Sequence, residues 1–366
     1  MSLNRHSFIF SAMVGILSVS LPFLIWRIFF SDVPLTGNGK ATLSVQFDTA
    51  PTQSMPPVQR PARLRELFSA PIHSLAVTKN GKEVRFYEEA TGRTFAVDLE
   101  SLRSEPISEE RLENLLRSWW SPSGTEVIAA FNEQGGTVLR FFDFRDGRVS
   151  VLPETVRTFA FSPDGTRLVT LHDTSGVSRI MVSGRDGTDD PWLLMTTRLS
   201  VISVFWPHPE RIIVHASNED GSNTLLSLNL SGVLLTLLKE VRDLETTWSP
   251  DGDRVVASYR DPNDILRTVV LEGMDGRPHN KTVSLPLTIP ASKCAWSPDG
   301  TVLGCGIPSQ ASAGDTVMTY HLGDAEPVLR YQPPKDTFIT VTKPLFSSSG
   351  LVFVNGYDKK PYLVSW

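Results

Sequence analysis

The side chains best suited to proton transfer or metal ligation near neutral pH are the seven histidines, at positions 6, 73, 172, 208, 215, 279 and 321. None stands in a His-x-His or His-x-x-x-His spacing. The only two cysteines, Cys294 and Cys305, make no Cys-x-x-Cys, so a zinc or haem site has no sequence support. A serine nucleophile of the α/β-hydrolase kind needs a Gly-x-Ser-x-Gly turn, and that pentad is absent. Asp186-Gly187-Thr188-Asp189-Asp190 gathers oxygen ligands that could hold calcium, but it offers fewer ligands than a calcium loop, and a solvated turn is the simpler reading. The same holds for His208, which sits in a Pro-rich turn. These absences lead to the expectation of no catalytic residue, no metal, no cofactor and a protein that is not an enzyme.

Any site must therefore be built by the elements, and an internal repeat defines them. Ser-Pro-Asp-Gly occurs at 162–165, 249–252 and 297–300, and Ser121-Pro122-Ser123-Gly124 is a near copy. Looser copies stand at 78–81, 206–209 and 347–350. The second positions run 79, 122, 163, 207, 250, 298 and 348, a period of 41 to 50 residues. In such a tetrad Ser bonds nearby backbone, Pro122, Pro163, Pro250 or Pro298 fixes φ, and Gly124, Gly165, Gly252 or Gly300 supplies the positive φ that turns the chain back. Each tetrad thus joins two strands of a hairpin. A single copy is ordinary turn chemistry; seven at one period are architecture.

A second glycine follows at nearly constant distance, at 147, 187, 232, 276 and 323, or 24 to 26 residues after the tetrad position. Each repeat then holds four strands, A to D. Four strands per repeat of this length form a propeller blade, and seven marks predict an all-β, seven-bladed β-propeller, with six blades the alternative. Trp120, Trp206, Trp248 and Trp296 end successive A strands, as core between blades. The last repeat has room for three strands, so closure predicts a fourth from Leu64–Ala70. Ser108–Arg117 reads as a helix, with Ser108 as cap and Leu112, Leu115 and Leu116 on one face. If Ser297 pairs with Val302, Cys294 faces Cys305 and a disulfide is within reach. A register shifted by two leaves them diagonal as free thiols, and both remain open.

The motif of an aromatic residue before Ser-Pro-Asp-Gly, a β-branched strand and a later Asp-Gly turn resembles the WD-like repeats of TolB-type propellers, over roughly 64–366. That resemblance implies a bacterial envelope protein with a habit of binding partners, and no single activity.

Residues 7–30 contain an uncharged run, Ser7–Trp26, long enough to cross a bilayer core of ~30 Å. No Ala-x-Ala-like site follows it, which favours a retained transmembrane helix over a cleaved signal peptide. A short cytoplasmic tail (1–6) precedes it, a Pro-rich linker (31–63) follows, and the propeller occupies 64–366. The expected location is the cytoplasmic membrane, single-pass, with the propeller outside. Residues 64–366 carry 30 bases and 38 acids, a charge balance that excludes nucleic acid as a partner.

Length variation concentrates in the D–A connections, which share one end of the blades with the B–C loops. Every B–C loop there holds a carboxylate: Glu88 and Glu89, Glu133, Asp173, Glu219 and Asp220, Asp261 and Asp264, Asp315, and Asp358. This face is the expected partner-binding surface, an acidic crown for a basic partner or a cation. The expected function is a membrane-anchored, non-catalytic module that binds another envelope protein or a surface polymer. The alternative is a carboxylate-based hydrolase or lyase acting on glycans or esters at the propeller mouth.

Overall fold

The computed structural model describes residues 62–108, 111–133, 135–174, 176–273, 281–285, 288–309, 314–324 and 326–366. The expected tail, membrane helix and nearly all of the linker lie outside the described residues. Among those described, no helix is long and apolar enough to cross a membrane. The described residues all belong to one compact unit, Pro57–Trp366.

That unit is built from antiparallel sheets laid down in chain order. After β1 (Arg63–Glu66), the first sheet runs β2 (Ile72–Val77), β3 (Glu83–Glu88), β4 (Thr94–Asp98), β5 (Ser104–Ser108). The second is β6 (Leu115–Trp120), β7 (Glu126–Glu133), β8 (Gly136–Asp143), β9 (Arg148–Val151), and the third β10 (Val156–Phe161), β11 (Arg167–Thr174), β12 (Val177–Gly184), β13 (Trp192–Thr197). A seven-stranded sheet follows: β14 (Ser200–His208), β15 (Arg211–Ser217), β16 (Asn223–Asn229), β17 (Leu234–Trp248), β18 (Arg254–Arg260), β19 (Leu266–Glu272), β20 (Lys281–Ser284). Then come β21 (Cys294–Trp296), β22 (Val302–Pro308), β23 (Asp315–His321), β24 (Val328–Tyr331), and finally β25 (Val341–Ser347), β26 (Gly350–Asn355) and β27 (Pro361–Ser365). β1 completes the last sheet by pairing with β27, Arg63 opposite Ser365 and Glu66 opposite Tyr362. The strand that closes the ring is thus the one before the first repeat.

The tetrads turn hairpins for the expected reason. Gly124, Gly165, Gly252 and Gly300 each donate their N–H to the carbonyl of the tetrad's first serine, at 2.8 to 2.9 Å, with φ between 68° and 72°. In the three full copies the serine hydroxyl donates to the aspartate two residues on, at 2.5 Å, and accepts the N–H five residues on. These bonds hold Asp164, Asp251 and Asp299 below the usual carboxylate range, Asp299 down to about 2, chiefly through Ser297. For Asp251 burial opposes this and is outweighed.

The core lies between sheets. Val127, Phe131 and Phe142 pack with Tyr87 of the first sheet, and Ile128 and Phe141 with Val156, Phe161 and Leu168 of the third. First strands of neighbouring sheets face each other, β2 against both β6 and β25, so they form the inner wall of the ring. Trp120 Nε1 donates to the Ser74 carbonyl and Trp296 Nε1 to that of Thr247, both at 2.9 Å, tying one inner strand to the next. The helix expected over Ser108–Arg117 is not formed. Ser108 ends β5, and Leu115 already pairs with Phe131 as part of β6, because ladder bonds and a buried Leu112 outweigh local helix propensity.

Candidate functional site

The inner strands are not regular. β2, β6, β10, β14 and β25 slip register near their starts, at Ser74–Leu75, Leu116, Arg157, Ile202 and Lys343–Pro344, and β17 does so midway, at Asp243–Leu244, where its inner half begins. Such bulges bend a strand and re-aim its side chains. Ser74, Asp243 and Lys343 also adopt left-handed backbone, with φ of 55°, 51° and 48°, a conformation that disfavours residues with a Cβ. The Ser74 kink is anchored to β6, whose Ser118 N–H donates to Ser74 Oγ at 3.0 Å.

The bulges shape two adjoining hollows. One, of about 640 Å³, runs along β2, β6 and β25 and is lined by Ser74, Arg117, Trp119 and Lys343 among others. The second, of about 520 Å³, lies between the second and third sheets; Arg117 and Trp119 border it too, facing Glu154, Arg157 and Phe159. Trp119 is 40% exposed and meets Phe159 edge to face, ring centroids 5.0 Å apart. Desolvation in the concave wall, then the positive charges of Arg117 and Lys359, push the Lys343 ammonium below the ordinary lysine range. Among the described residues no carboxylate forms an ion pair with Arg117, Arg157, Lys343 or Lys359. The mouth therefore combines unpaired cations with exposed aromatic faces, a surface that suits an anion carried on an apolar or saccharide body.

The crown carboxylates are placed differently. They sit in the separate B–C connections or at the strand ends that flank them, and most are engaged there. Glu88 accepts from Thr91, Glu89 stands 3.9 Å from His73, and Glu133 pairs with Arg140 at 2.8 Å. Asp220 caps Ser222; Asp261 caps the Asn263 and Ile265 amides and pairs with Arg267; Asp264 pairs with Arg242. Asp315 is buried, with Lys293 Nζ at 2.5 Å and the Val341 N–H at 2.7 Å, and so ties two sheets together. Asp358 caps Lys360 and accepts from Tyr362 at 2.8 Å. Only Asp173 and Glu219 stand exposed without such a bond among the described residues. The cations of the mouth escaped sequence reasoning because they come from three different strands, β6, β10 and β25, and from the loop before β27. The one available signal was a basic residue four positions before the tetrad, as at Arg117 and Lys343.

Asp186 is buried, takes the Thr188 and Asp189 amides at 3.0 and 3.2 Å, and pairs with Arg148 of the preceding sheet, which makes the acidic loop a capped turn. Cys294 faces Cys305 in register, and their sulfurs are bonded. Among the described residues no three His, Cys, Asp or Glu side chains group to hold a metal ion.

No family model and no curated protein matches the chain. Solved structures do. An oligogalacturonate lyase in complex with manganese aligns at a TM-score of 0.62 and 14% identity, over 83% of this chain and 93% of that one. An oligogalacturonate lyase from Vibrio parahaemolyticus aligns at 0.60 and 14%, over 84% and 97%. The β-propeller domain of the trilobed protease from Pyrococcus furiosus aligns at 0.56 and 10%, over 79% and 94%. The fold is a β-propeller. The expectation of a protein that is not an enzyme is corrected here: proteins named as lyases carry this fold over almost their whole length, so the fold gives no ground for excluding catalysis. A propeller equally suits a protein-interaction module.

Proposed function

We propose that this chain is a seven-bladed propeller that takes an anionic polymer at its channel mouth, held at the outer side of a cytoplasmic membrane by the apolar segment 7–30. The blade count rests on β17, whose 15 residues serve as the last strand of one blade and the first of the next. The bonded Cys294–Cys305 pair supports an oxidising compartment. The observation that carries the binding assignment is the set of cations lining the hollows beside Trp119 (Arg117, Arg157 and Lys343, with Lys359 acting on Lys343), none of which forms an ion pair with a carboxylate among the described residues. Arginine suits a polymer carboxylate, and the Trp119 face suits a sugar ring.

A second reading, elimination on the same polymer, is favoured by Lys343. A lysine with a lowered pKa beside an arginine is equipped to remove a proton next to a carboxylate. Lys343 Nζ would take the proton from the carbon bearing the carboxylate while Arg117 neutralises that group. The freed electron pair would form a double bond to the adjacent ring carbon as that carbon's bond to the glycosidic oxygen breaks, and that oxygen would leave with a proton from water.

The test is binding of oligogalacturonate, with neutral dextran as control, to the full chain in membranes and to its Arg117→Ala/Lys343→Ala form. The assignment predicts oligogalacturonate binding that dextran does not compete for, weakened roughly tenfold or more in the double variant. Equal binding by both forms would overturn it. Appearance of an ultraviolet-absorbing unsaturated product separates elimination from binding alone.

A further inference from the structure

The B–C end of the last blade carries a pair of aromatic side chains outside the two cationic hollows. Phe338, on the connection from β24 to β25, is 54% exposed, and Tyr357, in the β26–β27 loop, is 75% exposed. Their rings stack, with centroids 5.8 Å apart and planes 25° from parallel. Single exposed aromatics are ordinary on a protein surface, but a stacked pair from two separate loops has to be held in place.

Asn355, buried at the end of β26, holds it. Its Oδ1 accepts the Thr340 and Tyr357 N–H groups at 2.9 and 3.3 Å, and its Nδ2 donates to the Phe338 carbonyl at 3.2 Å. The Gly356 N–H donates to the Thr340 carbonyl at 2.8 Å. Ile339 and Val341 are buried, and the Ile339 carbonyl accepts the Asp315 N–H at 2.6 Å, so the alternating backbone leaves Phe338 and Thr340 facing out. The platform is fixed before any ligand arrives, which spares the cost of ordering it on binding.

Its surroundings are polar. Lys335, Asp336, Asp358 and Lys359 balance in charge, and the Asp358 carboxylate is taken up by the Lys360 N–H and the Tyr362 hydroxyl. A flat apolar face within a polar rim suits a sugar ring, with its C–H face and hydroxyl edge, better than an apolar protein surface. The pair is also continuous with the mouth. Lys359, two residues after Tyr357, acts on Lys343, and Val341, which pairs with Asn355, stands two residues before Lys343.

We infer that Phe338 and Tyr357 form an uncharged subsite on which one sugar ring of the polymer stacks while carboxylates of neighbouring rings meet the cations of the mouth. This rests on the anionic-polymer reading above and extends it to a ligand of several rings. The test compares a short and a long oligogalacturonate on the full chain in membranes, on Phe338→Ala/Tyr357→Ala and on Phe338→Tyr/Tyr357→Phe. The wild type should prefer the long chain. The alanine form should lose roughly three- to tenfold on the long chain only, with the wild-type salt slope, and the form that keeps both rings should lose nothing. Tyr357→Ala alone removes the more exposed ring and carries the test if the double variant does not fold. An undiminished preference for the long chain in the alanine forms overturns the subsite and leaves the mouth standing, as does an equal loss on both lengths. A wild type that binds neither length removes the mouth assignment, and the subsite with it.

Discussion

The two ends of the ring treat charge in opposite ways. At the tetrad end, carboxylates are buried and clamped: Glu126 and Asp143 of the second sheet are both reached by Arg145 and by Arg185 of the third, at 2.5 to 3.2 Å. At the mouth, Arg117, Arg157, Lys343 and Lys359 hold no such partner among the described residues. Burial makes pairing obligatory at the first end, since a lone buried charge is strongly destabilising. At the second, the exposed Arg117 needs no partner, and desolvation of Lys343 beside it is met by a lowered lysine pKa and not by a carboxylate. One end ties neighbouring sheets together through its charges; the other leaves its cations without a carboxylate among the described residues.

The largest break follows from removing the closing strand. Deleting 62–68 takes out β1 and the packed Leu67, and should cost roughly 5 kcal/mol, with both ends failing together in one thermal transition. Two separated transitions would show that the ends are independent.

Next in size is the clamp itself. Glu126→Ala leaves Arg145 and Arg185 with one carboxylate fewer and empties a buried site. Chemical denaturation should show a loss of about 3 kcal/mol with ligand binding at the mouth intact.

Acid probes the same end more gently. Burial raises the Glu126 carboxyl, but Ser121, Ser123, Thr125 and Arg145 together hold it below its ordinary value; the Arg145 bond does the same for Asp143 against weaker burial. Groups with lowered folded-state pKa stabilise fully above the unfolded value, near about 4, and lose that contribution as pH falls through the lowered one. Melting temperature should therefore hold above about pH 5 and drop below about pH 4, less steeply in Glu126→Gln. A Glu126→Gln profile parallel to wild type would remove the clamp as the cause.

The smallest effect is expected from the crown. Neutralising Asp220, Asp261 and Asp358 removes caps on single exposed loops and should barely move the melting temperature, leaving oligogalacturonate capture unweakened. Weakened capture would return those loops to the binding surface.

The repeats were legible because turn chemistry is local. Ser162, Pro163, Asp164 and Gly165 specify their hairpin by themselves, and the pairing of Ser297 with Val302 follows from it. The closing strand was legible from the deficit of the last repeat. Ser108–Arg117 was misread because its helical pattern is local while its pairing partner, Phe131, is not. The mouth was hidden for a related reason. Arg117, Arg157 and Lys343 are separated by 40 residues or more than a hundred, and only the bulges of β6, β10 and β25 bring them to one wall. The crown was read from composition, which shows that a carboxylate is present but not that Arg140, Arg267 or Lys293 already holds it.

Binding of an anionic polymer by the cations of the mouth, as proposed, is tested most directly by its salt dependence. Oligogalacturonate affinity for the full chain should fall steadily as sodium chloride rises, and Arg117→Ala/Lys343→Ala should bind weakly with a much flatter slope at an unchanged melting temperature. An affinity that ignores salt, or a double variant with the wild-type slope, would contradict the account.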